Sequence, residues 1–181
     1  FRSGTYDDTT PKFAITHALN DDVNIYASYT QGFRSGSFDA RARTIDSFLN
    51  SQPGPEEVTS IELGLKSTLN DGRIMFNLAV FQADYDDIQK LALEDCAVDI
   101  NTCPSGRIQR LINAAEATIE GIEIETRINI TDQFSLEGSL GYTDASFDKF
   151  EGFDADGVPG YDPVTDPAAA KSLKFERVPE L

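Results

Sequence analysis

Few residues in this chain could do chemistry, and their spacing narrows what that chemistry is. Cys96 and Cys103 enclose six residues. A metal or redox centre there would need a third soft ligand, and none lies close in sequence. The other reading is a disulfide, which in an oxidising compartment contributes about 2.5 kcal/mol by closing so small a ring. Asp154-Ala155-Asp156-Gly157 opens like a calcium loop, but the downstream bidentate Glu is out of place. Asp154 and Asp156 are therefore weak candidates for Ca²⁺. The ordinary reading of 144–166, where seven carboxylates face one Lys, is a solvated acidic loop. Glu123 and Glu125 point the same way on a strand and could share a proton, although a wall of charges explains them as well. His17 is the single histidine, which leaves few parts for a zinc site or a Ser-His-Asp hydrolase. No nucleophile–base constellation is visible. An enzyme is not expected, and no cofactor is implied.

The elements that must position these groups are β-strands. From Ile122 the even positions read Ile122, Ile124, Thr126, Ile128 and Ile130, against Glu123, Glu125, Arg127 and Asn129. After Thr131-Asp132-Gln133 the pattern resumes, with Phe134, Leu136, Leu140 and Tyr142 on one face. Strict period two gives strands with one apolar and one polar face. The same alternation predicts strands over 11–19, 23–36, 58–69 and 73–91, with 107–115 ambiguous and a last strand beginning near Lys171. Asn70-Asp71-Gly72 reads as a tight hairpin turn, because all three tolerate positive φ. Segments 37–57, 92–106 and 144–170 read as long connections.

Short and long connections thus alternate, and the strands run to roughly 12–19 residues where soluble sheets use about 5–6. A tilted strand crosses a bilayer in about 9–11. Long strands with short turns at one end and long loops at the other match an antiparallel outer-membrane barrel, here about seven strands of a larger one. Two other classes share the alternation. One is a passive porin or structural barrel. The other is a soluble ligand-binding β-barrel, which inverts the faces around an apolar lumen. Strand length favours the membrane version. Glu62, Lys66, Glu123, Glu125, Arg127 and Glu137 then line a polar lumen, and Tyr29, Tyr142 and His17 lie on the lipid-facing side near its edges. The net charge of −16 excludes nucleic-acid binding by phosphate neutralisation. Phe1 without an initiator Met, and a strand starting near Lys171, make 1–181 read as a segment truncated at both ends.

The ordered motifs carry a family likeness. They are Thr10-Pro11-Lys12-Phe13-Ala14, the run from Tyr26 to Gly36, Pro55-Glu56-Glu57 leading to Lys66, the run from Phe81 to Gln89, and Asn113-Ala114-Ala115 followed by Glu120-Gly121-Ile122-Glu123. Together they resemble the C-terminal part of the barrel of a TonB-dependent outer-membrane receptor. That resemblance implies a 22-stranded barrel in the bacterial outer membrane, with short periplasmic turns and long extracellular loops. It also implies a plug domain, absent from this chain, that engages the TonB complex. The cargo would be a scarce small molecule such as a ferric siderophore or another metal chelate. In that compartment Cys96 and Cys103 are expected to pair. Ligand contacts are expected where aromatic and basic groups approach the long loops: Phe33, Arg34, Phe81, Tyr85, Arg107 and Arg110. Aromatic rings supply apolar contact, and Arg grips carboxylate or phosphate in bidentate fashion.

Overall fold

The structure is a computed structural model that describes residues 4–39, 48–49, 51–95, 98, 106–153 and 159–161. Seven antiparallel strands follow one another in sequence order across one sheet. They are β1 (Lys12–Ala18), β2 (Val23–Arg34), β3 (Glu56–Leu69), β4 (Ile74–Asp95), β5 (Arg107–Thr131), β6 (Phe134–Phe153) and β7 (Pro159–Tyr161). Each hairpin at one end is short. Asn70, Asp71 and Gly72 take φ of 55°, 53° and 83°, as their residue types allow. Asn20 Oδ1 accepts from the amide of Asp22 at 2.9 Å in the first turn. Thr131 Oγ1 accepts from the amide of Gln133 at 3.3 Å in the last. The β2–β3, β4–β5 and β6–β7 connections leave from the opposite end, the first two of them long.

The strands differ from the sequence expectation at that far end. The ambiguous segment 107–115 is the start of β5, which runs unbroken for 25 residues. The connection expected from Asp144 to Ala170 is overturned in its first part, because β6 continues to Phe153. The connection expected from Ala92 begins later, since β4 continues to Asp95. Cys96, Cys103, Asp154, Asp156 and the strand expected near Lys171 lie outside the described residues.

Register decides the faces. Ile25, Leu65, Leu78, Ile124 and Leu140 form one continuous row across β2 to β6, and Ala27, Leu63, Val80, Ile122 and Tyr142 form the next. These side chains cover no core. Ile15 is 70% exposed, Leu63 58% and Leu140 69%. A water-facing sheet would not leave so large an apolar surface uncovered. The rows extend from Leu69 to Ile61, a rise of about 27 Å along the strand. At a tilt of about 40° that is about 21 Å, and the end side chains extend it toward the ~25 Å apolar band of a membrane barrel. The band ends sharply. The row containing Tyr29 and Ile61 continues into Gln82, Glu120 and Asp144.

The opposite face is polar over the same span. Tyr26 donates from its hydroxyl to Glu62 Oε1 at 2.7 Å, and the Lys66 ammonium sits 5.4 Å from the Tyr26 ring centre. Asn77 Nδ2 donates to Glu125 Oε2 at 3.4 Å, and Arg127 Nε meets Glu137 Oε1 at 2.7 Å. Glycine makes room for rings on this face. Tyr26 lies over its register partner Gly64, where a Cβ would collide with the ring. At Gly121 a Cβ would meet the Tyr142 carbonyl oxygen at 2.6 Å and Phe81 Cζ at 2.7 Å.

Candidate functional site

Beyond the apolar band the sheet changes character. A register shift between Tyr85 and Ile88, with Asp87 at φ 54°, marks a β-bulge in β4. A bulge twists the strand and re-aims its side chains. On β6 a second shift lies opposite, between the partners of Glu116 and Ala117. Around these bulges Ile88, Ala115, Ala117, Phe147 and Phe150 form a buried cluster, with Tyr85 packed against it. The two Phe rings meet edge to face at 5.4 Å. Lys90 Nζ lies 5.5 Å from the Phe147 ring centre.

Two amide side chains then tie the β2–β3 connection to the β4–β5 hairpin. Gln89 Nε2 donates to the carbonyls of Ser35 at 2.9 Å and Gly54 at 3.0 Å, and its Oε1 accepts from Ser37 Oγ at 2.9 Å. Its register partner Asn113 donates from Nδ2 to the carbonyls of Asp87, Gly54 and Pro55. Asn113 Oδ1 accepts from the Gly54 amide at 2.6 Å. Ser51 is fully buried and accepts from the Leu111 amide at 3.3 Å. A connection without its own ladder must satisfy its backbone somewhere. Here the side chains of Gln89 and Asn113 do so for Ser35, Gly54 and Pro55, while Ser51 of the connection in turn satisfies the Leu111 amide of β5.

Glu56 links this strap to a candidate ligand residue. Its Oε2 accepts from the Gln89 amide at 2.9 Å and pairs with Arg34 Nη1 at 3.5 Å. The Arg34 side chain remains 64% exposed. It can therefore keep its carboxylate partner and still present N–H groups to solvent.

The six candidate contacts fall into two groups. Arg34 closes β2 on the polar face, while Phe33 lies on the other face opposite Glu57. Phe81 lies on the polar face against Gly121, and Tyr85 joins the buried cluster. Arg107 and Arg110 stand higher. Arg107 pairs with Asp95 at 3.2 Å at the end of the β4–β5 ladder, and Arg110 is opposite Ala92. Nine residues of β4 separate the Asp86 and Asp95 levels, about 30 Å of rise. In the lower group Arg34 reaches the strap through Glu56, while Phe81 lies about 20 Å below at the Ser28–Glu62 level, and the upper pair belongs to the hairpin tip.

Glu56, Gln89 and Asn113 stand in the motifs that carry the family likeness, but type and spacing assign them no role, and Ser51 lies in none of those motifs. A signal existed for Asn113, an amide interrupting the otherwise apolar Leu111-Ile112-Asn113-Ala114-Ala115. Its partners are backbone groups of Gly54 and Pro55, 59 and 58 residues earlier, and of Asp87, 26 residues earlier, which no local pattern reveals.

Known proteins agree with this architecture. A family model described as "TonB dependent receptor-like, beta-barrel" matches residues 1–175. The ferric-pyoverdine M114 receptor PbuA of a Pseudomonas species is 32% identical over 135 residues, which is 74% of this chain and 14% of that protein. The metal-pseudopaline receptor CntO of Pseudomonas aeruginosa is 25% identical over 143 residues, 78% of this chain and 17% of that protein. Among solved structures, the ferric yersiniabactin uptake receptor FyuA of Yersinia pestis superposes with a TM-score of 0.56. The match has 16% identity and covers 76% of this chain and 18% of that one. That likeness concerns the fold. The chain therefore spans about one sixth of the length of the curated relatives it matches. The outward-facing apolar band, the reversal of polarity above it, the alternating short and long connections and the family match agree: this chain belongs to the TonB-dependent receptor family, as a stretch of its bacterial outer-membrane β-barrel.

Proposed function

We propose that this stretch serves a receptor that imports a ferric siderophore or another metal chelate across the outer membrane, with energy from the TonB complex. The observation that carries the reading is that the two curated relatives named above, matched over about three quarters of this chain, are receptors for a metal-pseudopaline and a ferric-pyoverdine complex. Residues 1–181 act as one unit of barrel wall. The remaining strands and the TonB-engaging plug come from other parts of such a receptor. The role is transport, not catalysis.

The geometry supports an anionic or oxygen-rich cargo. Arg34, two-thirds exposed beside the strap, offers bidentate N–H groups to chelate or carboxylate oxygens. Phe81 adds an aromatic ring lower on the same polar face, at the level of Ser28 and Glu62, Tyr85 belongs to the buried cluster between them, and Phe33 lies on the opposite face of β2. Arg107 and Arg110 on the hairpin would meet cargo earlier, as it arrives. A Cys96–Cys103 disulfide would stiffen the connection at that tip, and Asp154 and Asp156 would hold Ca²⁺ weakly at most.

The test is uptake of ⁵⁵Fe-loaded siderophores by cells expressing the full-length receptor. Uptake is expected for at least one chelate. It should vanish in a strain lacking TonB and fall about tenfold in Arg34→Ala, the loss of one good charge-assisted contact. Diffusive uptake that ignores TonB would sink the reading and favour a passive porin.

A further inference from the structure

The β2–β3 ladder ends on a facing pair, Arg34 opposite Glu56, both on the inner face. The β3–β4 ladder ends beside it, at Glu57 and Asp86. Beyond that point the N–H groups on this edge of β4 need other acceptors. Past the bulge at Asp87 the Gln89 amide finds one in the Glu56 carboxylate, at 2.9 Å. The Gln89 side chain pins both ends of the strap around the same point, through Ser35 and Ser37 on one side and Gly54 on the other. Gln89 is 6% exposed and the Glu56 side chain 15%. A carboxylate that is mostly buried and accepts a charge-assisted bond from a ladder amide has a fixed place.

Arg34 is the long, exposed partner of this carboxylate. A surface Arg samples many rotamers, and ordering it at the moment of binding costs affinity. Here Glu56 Oε2 meets Nη1 at 3.5 Å from the strand directly opposite. Opposite charges facing each other across a ladder attract. The contact uses Nη1, which leaves the Nε–Nη2 edge for a bidentate oxygen donor. The same carboxylate also subtracts positive charge from the site. Ordering and charge act with opposite signs on an anionic cargo, so a binding measurement separates them.

We propose that Glu56 is a positioning residue for cargo capture: fixed by the Gln89 amide, its carboxylate holds the Arg34 guanidinium ready for an anionic oxygen donor. The role rests on the reading of Arg34 as a cargo contact.

The test uses the full-length receptor in two arms. The first needs no cargo and follows phenylglyoxal modification of Arg34 by peptide mass spectrometry. A guanidinium held against a carboxylate reacts more slowly than a free one. Glu56→Gln keeps an oxygen for the Gln89 amide but loses the charge, so Arg34 should react about threefold faster. Proteolysis of the strap should stay unchanged in that variant. Asn113→Ala loosens the strap but keeps Glu56, and should leave the Arg34 rate unchanged. Equal rates in wild type and Glu56→Gln overturn the proposal. So does an equal rise in Asn113→Ala, which would make the strap the holder.

The second arm is the dissociation constant of ferric pyoverdine, the chelate named for one relative. Glu56→Gln should raise it about fivefold, and should add nothing in an Arg34→Ala background. Tighter binding in Glu56→Gln would make the carboxylate a competitor and overturn the proposal, as would a loss that persists without Arg34. Binding unchanged in Arg34→Ala would sink the cargo contact itself. Binding weakened in Arg34→Ala but not in Glu56→Gln would sink the positioning role alone. For a receptor that carries a different chelate, the modification rates still decide whether Glu56 holds Arg34.

Discussion

Leu140 and Phe147 lie on the same strand, seven residues apart, and point to opposite faces. Leu140 is 69% exposed on the outer face, and Phe147 is 5% exposed on the inner one. Below the boundary the apolar residues face outward and the charged ones inward. Above it Asp84, Thr118 and Ser146 share the outer face, and Tyr85, Ala117 and Phe147 the inner. One sheet thus obeys one rule in two solvents. Where hydrocarbon surrounds it, the outer face is apolar and the lumen can hold charge. Where water surrounds it, the apolar face turns inward and packs, as in a soluble protein. The bulges at Tyr85–Ile88 and Glu116–Ala117 lie a few residues above this change, where the ladder bends and side chains pack.

The contrast sets the size of mutational effects in the full-length receptor. The largest is expected at Phe147→Ala. Its ring packs on Phe150, so truncation should cost about 3–5 kcal/mol of local stability. Hydrogen exchange should speed up in the upper β5–β6 ladder and stay unchanged below Glu120. Leu140→Ala should cost only about 2 kcal/mol, since lipid fills the space it leaves. Next in size is Leu140→Arg, at about 2–4 kcal/mol in a urea unfolding midpoint. Glu123→Arg, one face over, should stay within about 0.5 kcal/mol.

Asn113→Ala should cost about 1–3 kcal/mol, because the Gly54 amide and three carbonyls lose a part-buried partner. Proteolysis between residues 35 and 55 should become faster while the membrane-embedded ladder stays protected. The smallest effect is expected at Arg127→Ala. Its pair with Glu137 is half exposed on both sides, so less than about 1 kcal/mol should be lost. An equal loss at Asn113 and Arg127 would erase the distinction between a strapped connection and a solvated lumen wall.

The lower region was legible in the sequence because one period governs it. Ile122 to Ile130 and Phe134 to Tyr142 alternate without interruption, and register stacks them into the rows that alternation predicts. The turn at 70–72 was legible for the same reason, since its three residue types share one backbone need. The upper region was not. At Asp144 the apolar residues switch parity, so 144–153 looks like an acidic loop although it continues β6. The bulges break the period again near Asp87. The strap was hidden more deeply. Gln89 and Asn113 are amides on strands whose partners are backbone atoms of a distant connection, and sequence spacing carries no trace of that pairing. Placement of Arg34 and Arg107 on separate levels likewise depends on how far β4 extends.

A spin-label scan of β5 from residue 118 to 130 would test the boundary most directly. The full-length receptor in a bilayer, with Cys96 and Cys103 replaced by Ser, would be probed with oxygen and with a water-soluble relaxing agent. Labels at 122, 124, 126, 128 and 130 should collide with oxygen, and those at 123, 125, 127 and 129 with the aqueous agent. The lipid signal should end at Glu120, leaving 118 aqueous. Oxygen contact that continues through 118, or no two-residue period below 120, would contradict a sheet that inverts its faces at the membrane surface.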